Sequence, residues 1–246
     1  MPAVPPWPPK SLPRLYVRER LAGGARIVLD QAQANYLGNV LRLREGAELL
    51  VFDGRSGEWL ARIAEAAKKH MVLAVERKTR ELESVPDVWM AFAPVKRAQT
   101  DWLVEKATEL GAARLIPVIT QRTIVDRVKL DRLQSIAIEA AEQCGRTALP
   151  DICEPLALGQ FLGQYGERSL YFADESGGEP AAEAFGAGAT TILTGPEGGF
   201  ADEERAQIRS HVNAVPISLG PRILRAETAA LAALATFMAV AGDWHP

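Results

Sequence analysis

Two short stretches near the C-terminus hold the residues best suited to chemistry: Leu193-Thr194-Gly195-Pro196-Glu197-Gly198-Gly199-Phe200 and Ser218-Leu219-Gly220-Pro221-Arg222-Ile223-Leu224-Arg225-Ala226-Glu227-Thr228-Ala229. Each follows a short β-branched run and opens into a helical pattern. This predicts two turns side by side at the carboxyl edge of one parallel sheet, where α/β folds bind ligands. Gly195, Gly198 and Gly199 let backbone N–H and C=O groups come close to a ligand, and Pro196 stiffens the turn between them. Groups of that kind read adenine edges and ribose hydroxyls. One such segment alone is as readily a plain strand-to-helix turn, but two separated by a single helix favour a ligand site. No lysine follows the glycines, so neither loop is a P-loop. Both come after late strands, whereas a dinucleotide fingerprint follows the first.

The elements that must position these loops alternate strand and helix. Strands are expected at Val88 to Ala93, Arg114 to Ile119, Ser169 to Ala173, Thr190 to Leu193 and Val215 to Leu219. Helices are expected at Ala98 to Leu110, Asp131 to Cys144, Asp202 to His211 and Ala226 to Val240. Alternation of this kind implies a parallel sheet covered on both faces. Before it, from Arg14 to Arg80, the pattern is short and strand-like, broken by one helix from about Gln31 to Leu41 with Asp30 as its N-cap. A small, mostly antiparallel barrel fits that stretch, and Thr79 to Asp87 reads as the linker. The proline-rich leader, residues 1–13, lacks the charged and apolar regions of a secretory signal and reads as a flexible tail.

At 246 residues, 48% apolar and 24% charged, the chain is long enough for two modest globular domains. The longest apolar stretch, Ala229 to Ala241, is too short to span a bilayer, so no membrane role is expected. Cys144, Cys153, His70, His211 and His245 fall at no metal-ligand spacing, and a metal-free protein of a reducing cytoplasm is the simplest inference. The net charge of −3 conceals an asymmetry: Arg14 to Arg80 holds 13 Lys or Arg against 8 Asp or Glu, and Glu81 to Pro246 holds 14 against 23. A basic module joined to an acidic one suits a division between phosphate contact and chemistry, although a solvated basic surface gives the same count.

The pairing of LTGPEGGF with SLGPRILRAETA resembles the RsmE-type 16S ribosomal RNA uracil-N3 methyltransferases of the SPOUT class. Tyr36-Leu37-Gly38-Asn39-Val40-Leu41-Arg42-Leu43, Lys106-Ala107-Thr108-Glu109-Leu110-Gly111 and Glu139-Ala140-Ala141-Glu142-Gln143-Cys144-Gly145-Arg146 extend the resemblance from about Arg14 to the C-terminus. It implies a PUA-like RNA-binding domain at 14–80 and an α/β methyltransferase domain at 84–246. The second domain would carry a trefoil knot that binds S-adenosylmethionine and pairs two chains into a homodimer. The implied partner is 16S rRNA of the small ribosomal subunit.

On that reading the cofactor residues are Leu193, Thr194, Gly195, Pro196, Glu197, Gly198 and Gly199 from the first loop, with Ser218, Leu219, Gly220, Ile223, Leu224, Arg225 and Thr228 from the second. Methyl transfer to uracil N3 is an in-line displacement in which the enzyme positions and desolvates its reactants, and the N3 proton must leave. Arg225 and Arg146 are candidates for stabilising the uracil oxyanion, and Glu197 or Glu227 for accepting the proton. Both glutamates also fall at helix entrances, where a carboxylate is favoured without catalysis. Arg146 stands just past a helix end, where it can cap carbonyls. Arg14, Arg42, Arg44, Gln143 and Arg146 are expected to meet RNA; Arg42 and Arg44 suit a solvated surface nearly as well, and Gln143 either reads a base edge or holds Arg146.

Overall fold

The computed structural model describes residues 12–67, 70–125, 127–164 and 167–244, so most of the proline-rich leader lies outside the described residues. The chain forms two compact units. One holds the described residues up to Ser84 together with Ala141–Ala148, and the other holds Val85–Ala140 and Leu149 onward. The expected domains were contiguous. The structure instead assigns the last turn of a helix, and the residues after it, to the N-terminal unit.

The first unit contains β1 (Arg14–Tyr16), β2 (Arg26–Val28), α1 (Gln31–Asn35), β3 (Glu48–Phe52), β4 (Glu58–Ala67) and β5 (His70–Arg80). The strands run in the order β1-β3-β4-β5-β2, antiparallel except for the β1–β3 pair. Alternate residues such as Leu49, Val51, Ala61, Ile63 and Leu73 turn inward to one core. Asp30 caps α1 as expected, accepting from the Gln33 N–H while the Gln33 side chain accepts from the Asp30 N–H. The helix does not continue to Leu41 as an α-helix. It widens into one π turn, Tyr36–Val40, after which Arg42 takes a left-handed φ of 58°.

Residues 141–148 complete this unit through backbone carbonyls. The Arg14 side chain, 9% exposed, donates to Glu58, to the Ala141 and Glu142 carbonyls and to the Arg146 carbonyl. Arg80 likewise bridges Glu58 and the Gly145 carbonyl, and Glu83 accepts from the Thr147 and Ala148 N–H groups. Burial pushes the Glu58 carboxyl upward, but hydrogen bonds from Arg80 and Arg14 outweigh it and hold the group below the usual carboxylate range.

The second unit runs β6 (Val88–Phe92), α2 (Arg97–Glu109), β7 (Arg114–Ile119), α3 (Leu130–Cys144, its end counted with the first unit), β8 (Asp151–Ile152), β9 (Leu156–Ala157) and α4 (Leu158–Gly163). It continues with β10 (Ser169–Ala173), β11 (Glu179–Pro180), α5 (Ala181–Ala184), β12 (Thr190–Thr194), α6 (Asp202–Arg209), β13 (Ala214–Ser218) and α7 (Ala226–Val240). The sheet is parallel throughout, in the order β11-β13-β10-β12-β6-β7-β8, with β9 also on β7.

Strand alternation divides the core into two layers. Val88, Met90 and Phe92 of β6, Tyr171 of β10 and Ile192 of β12 face a layer closed by α2 and α7 through Leu103, Leu234 and Phe237. Ala91, Leu170, Phe172 and Leu193 face the other, closed by Phe161 and Leu162 of α4 and Ile208 of α6. Among the described residues no helix is long and apolar enough to cross a membrane, and no group of three or more His, Cys, Asp or Glu is placed to hold a metal ion.

Candidate functional site

A cavity of about 410 Å³ opens at the carboxyl ends of β10, β12 and β13, three adjacent strands. Both glycine loops form its walls, as the alternation of strand and helix predicts. Thr194, Gly195, Pro196, Glu197, Gly198 and Gly199 line it from β12; Ser218, Leu219, Gly220, Ile223 and Leu224 line it from β13. Gly195 lies over the ring of Phe200, which itself meets Phe172 edge-on, so the loop is fastened to the core beneath. From the loop after β7, Arg122 donates to the Gly198 carbonyl at 2.6 Å.

Three lining glycines need their backbone freedom, the first being Gly177 with a φ of 109°. Gly199 has a φ of 65° and Gly220 a φ of 103°, conformations that side chains resist. At Gly199 an added Cβ also collides with the Glu175 carboxylate, whereas at Gly220 it meets nothing.

Three residues expected to touch the cofactor do not line the cavity. Leu193 is fully buried in the layer under α4 and α6, because strand alternation sends it to the face opposite Ile192. Thr228 is exposed: α7 presents Ala226 and Ala229, three residues apart, to the cavity and turns Thr228 away. Arg225 is exposed as the N-cap residue of α7 and makes no side-chain capping bond.

The sequence reading missed the third wall. Ala173, Asp174, Glu175 and Gly177 follow β10 and line the cavity. Asp174, its side chain fully buried, accepts from the backbone and hydroxyl of Ser176 and from two nitrogens of Arg209, and its Oδ1 lies 3.2 Å from Nε of Arg205. Burial pushes this carboxyl up, and the hydrogen bonds from Ser176 and Arg209 more than reverse that, holding it below the usual range. Two α6 arginines thus tie the β10 loop to the helix that follows the first glycine loop. The available signal was Asp174-Glu175-Ser176-Gly177-Gly178, a turn directly after a buried strand.

The four candidate catalytic residues are dispersed. Glu197 is exposed on the cavity wall. Glu227 is 8% exposed in the first turn of α7 and outside the lining. Arg225 stands between the lining residues Leu224 and Ala226. Arg146 belongs to the first unit, its side chain buried with Nε 3.6 Å from Glu83.

Among the residues expected to meet RNA, Arg14 is corrected: its guanidinium is consumed by Glu58 and three carbonyls, and burial lowers its pKa despite Glu58. Arg42, Arg44 and Gln143 are exposed, with Arg44 donating to the Gly38 and Leu43 carbonyls.

Comparison with known proteins divides the chain once, between residues 76 and 81. Residues 81–238 match the RNA methyltransferase domain family and residues 29–76 the RNA methyltransferase PUA domain. A relative named ribosomal RNA small subunit methyltransferase E, from Rickettsia conorii, is 32% identical over 227 residues, spanning 90% of this chain and 93% of its own. One of the same name from Synechocystis is 35% identical over 237 residues, 92% of this chain and 77% of its own. The crystal structure of a ribosomal RNA small subunit methyltransferase E from Neisseria gonorrhoeae, bound to S-adenosyl methionine, matches with a TM-score of 0.86 at 30% identity, covering 95% of this chain and 100% of that one.

Proposed function

This chain belongs to the RNA methyltransferase family, and from that premise we propose that it methylates N3 of one uridine in 16S rRNA. It is an rRNA methyltransferase that uses S-adenosylmethionine. The observation that carries the reading is the three-loop cavity, whose lining includes three left-handed glycines, one from each loop.

The residues present suit that cofactor. Residues 194–199 and 218–220 line the cavity, and Leu219, Ile223 and Leu224 offer apolar cover for a planar base. Glu175 is neutralised by its ion pair with Arg205, and Glu197 leaves an exposed carboxylate on the wall that can face a ligand's positive charge. When bound, S-adenosylmethionine supplies a methyl group on a positively charged sulfur.

The protein's own work is to hold the uracil edge in line and to manage one proton. Glu197, exposed on the wall, is the proposed acceptor of the N3 proton. Arg225, with its guanidinium uncommitted to the helix cap, is the proposed stabiliser of negative charge on the uracil oxygens. Glu227 favours the start of α7 through its place in the first turn. The basic N-terminal unit supplies rRNA contact through Arg42 and Arg44, the enzyme works in the cytoplasm where subunits are assembled, and two chains pair through the second unit.

Incubation with labelled S-adenosylmethionine and small ribosomal subunits, followed by mapping of the labelled nucleoside, tests the reading. Label on N3 of a single uridine is expected. Label elsewhere removes the uridine assignment while leaving the enzyme class, and absence of transfer reduces the chain to an RNA-binding module.

A further inference from the structure

A second cavity, of about 130 Å³, lies on the same unit where β6 runs into α2. Four basic side chains line it: Arg97 from the start of α2, Arg127 and Lys129 from the segment before α3, and Arg132 from the first turns of α3. Asp101 is the one acidic residue of the lining among the described residues, and it serves two of the four. Arg132 grips it with Nε and a terminal nitrogen at 2.6–3.0 Å, and Arg97 stands 4.0 Å away. Arg127 and Lys129 form no ion pair among the described residues.

This concentration is unexpected from composition, because the chain from Glu81 onward carries nine more acids than bases. Cations gathered against that background, in a hollow too small for a nucleotide, suit a single phosphate group; the forked guanidinium donors match phosphate oxygens in pairs.

Position indicates where the phosphate comes from. β6 lies beside β12, and the Ala93 N–H just past β6 donates to the Thr194 carbonyl at the edge of the cofactor cavity. The segment carrying Arg127 and Lys129 leaves β7 through Arg122, which holds Gly198. Neighbouring strands stand about 4.8 Å apart, so the two hollows open at the same carboxyl edge of one sheet.

We propose that Arg97, Arg127, Lys129 and Arg132 form a backbone-phosphate site for the RNA strand flanking the target nucleotide, a contact made by the methyltransferase unit itself. This rests on the rRNA methyltransferase reading above.

The test is fluorescence anisotropy with a labelled fragment of small-subunit rRNA over a range of salt, comparing wild type with the Arg127→Ala/Lys129→Ala double variant and with Arg127→Lys/Lys129→Arg. Loss of two phosphate contacts should weaken binding roughly tenfold or more at low salt and reduce the slope of log affinity against log salt by about 1.5. The charge-conserving pair should retain both values, and calorimetric affinity for S-adenosylmethionine should be unchanged in all three proteins. Wild-type affinity and slope in the alanine variant overturn the proposal, as does weakened binding at an unaltered slope. Wild-type protein that binds neither the rRNA nor the cofactor overturns the parent reading and this one with it.

Discussion

At Gly199 the place a Cβ would occupy is already filled by the carboxylate of Glu175, which reaches across from the loop after β10. The φ of 65° adds a second obstacle, since left-handed backbone costs an ordinary residue roughly 1–2 kcal/mol. Gly199→Ala should therefore lower thermal stability by that amount and weaken S-adenosylmethionine binding measured by calorimetry. Adding Glu175→Ala restores space without relieving the backbone. The double variant should remain destabilised while the cofactor affinity lost to the collision returns; a double variant no better than the single one removes the steric part of the argument.

Arg225 is exposed and its side chain makes no bond at the α7 cap, so truncating it leaves the helix start, including the Ala229 N–H to Arg225 carbonyl bond, intact. Arg225→Ala should slow single-turnover methylation on the order of 10² to 10³-fold, the range for one lost oxyanion-type donor, with cofactor affinity and melting temperature near wild type. Reduced cofactor affinity at a preserved rate would reassign the guanidinium to the cofactor carboxylate.

Asp174 binds two α6 arginines from a fully buried position. Asp174→Asn should lower unfolding free energy in urea by about 2–3 kcal/mol at neutral pH, less than the 3–5 of a wholly buried pair because Arg209 is 43% exposed. The folded carboxyl titrates below its unfolded value near 4. Its contribution is thus complete above about pH 4 and fades as pH falls through the folded pKa. The difference between wild type and Asp174→Asn should shrink in acid; a constant difference down to pH 2 would show that the charge is not its source.

Arg42 is the only non-glycine residue with positive φ among the described residues, and it follows the π turn of the basic unit. Arg42→Gly relieves the backbone and deletes the charge together. Melting temperature should rise slightly while rRNA affinity falls and its salt dependence flattens. A variant more stable than wild type with undiminished rRNA affinity would make Arg42 a surface residue.

Elements that complete at least two periods were legible: β7, β10 and α7 span the residues their patterns predict, and the two glycine loops stand where the strand-to-helix transitions place them. The strands β8, β9 and β11 hold two residues each, and the helices α4 and α5 six and four, less than two turns, too few to display their periods. The Asp174 wall escaped notice because the loop after β10 runs into a two-residue strand instead of a long helix. Arg14 was misread for a different reason: sequence shows a charge but not the carbonyls that surround it. Leu193 and Thr228 adjoin true lining residues, and only strand and helix geometry separates them from the cavity.

The carbonyls at 141, 142, 145 and 146, returned to Arg14 and Arg80 from more than sixty residues downstream, make the N-terminal unit a discontinuous object. A fusion protein that transplants only residues 12–84 would leave two arginines with Glu58 but without their carbonyl acceptors, and Glu83 without its amide donors. A recombination event at the linker would break the unit that it is meant to release, so the two halves of this chain must be inherited together or redesigned at both cuts.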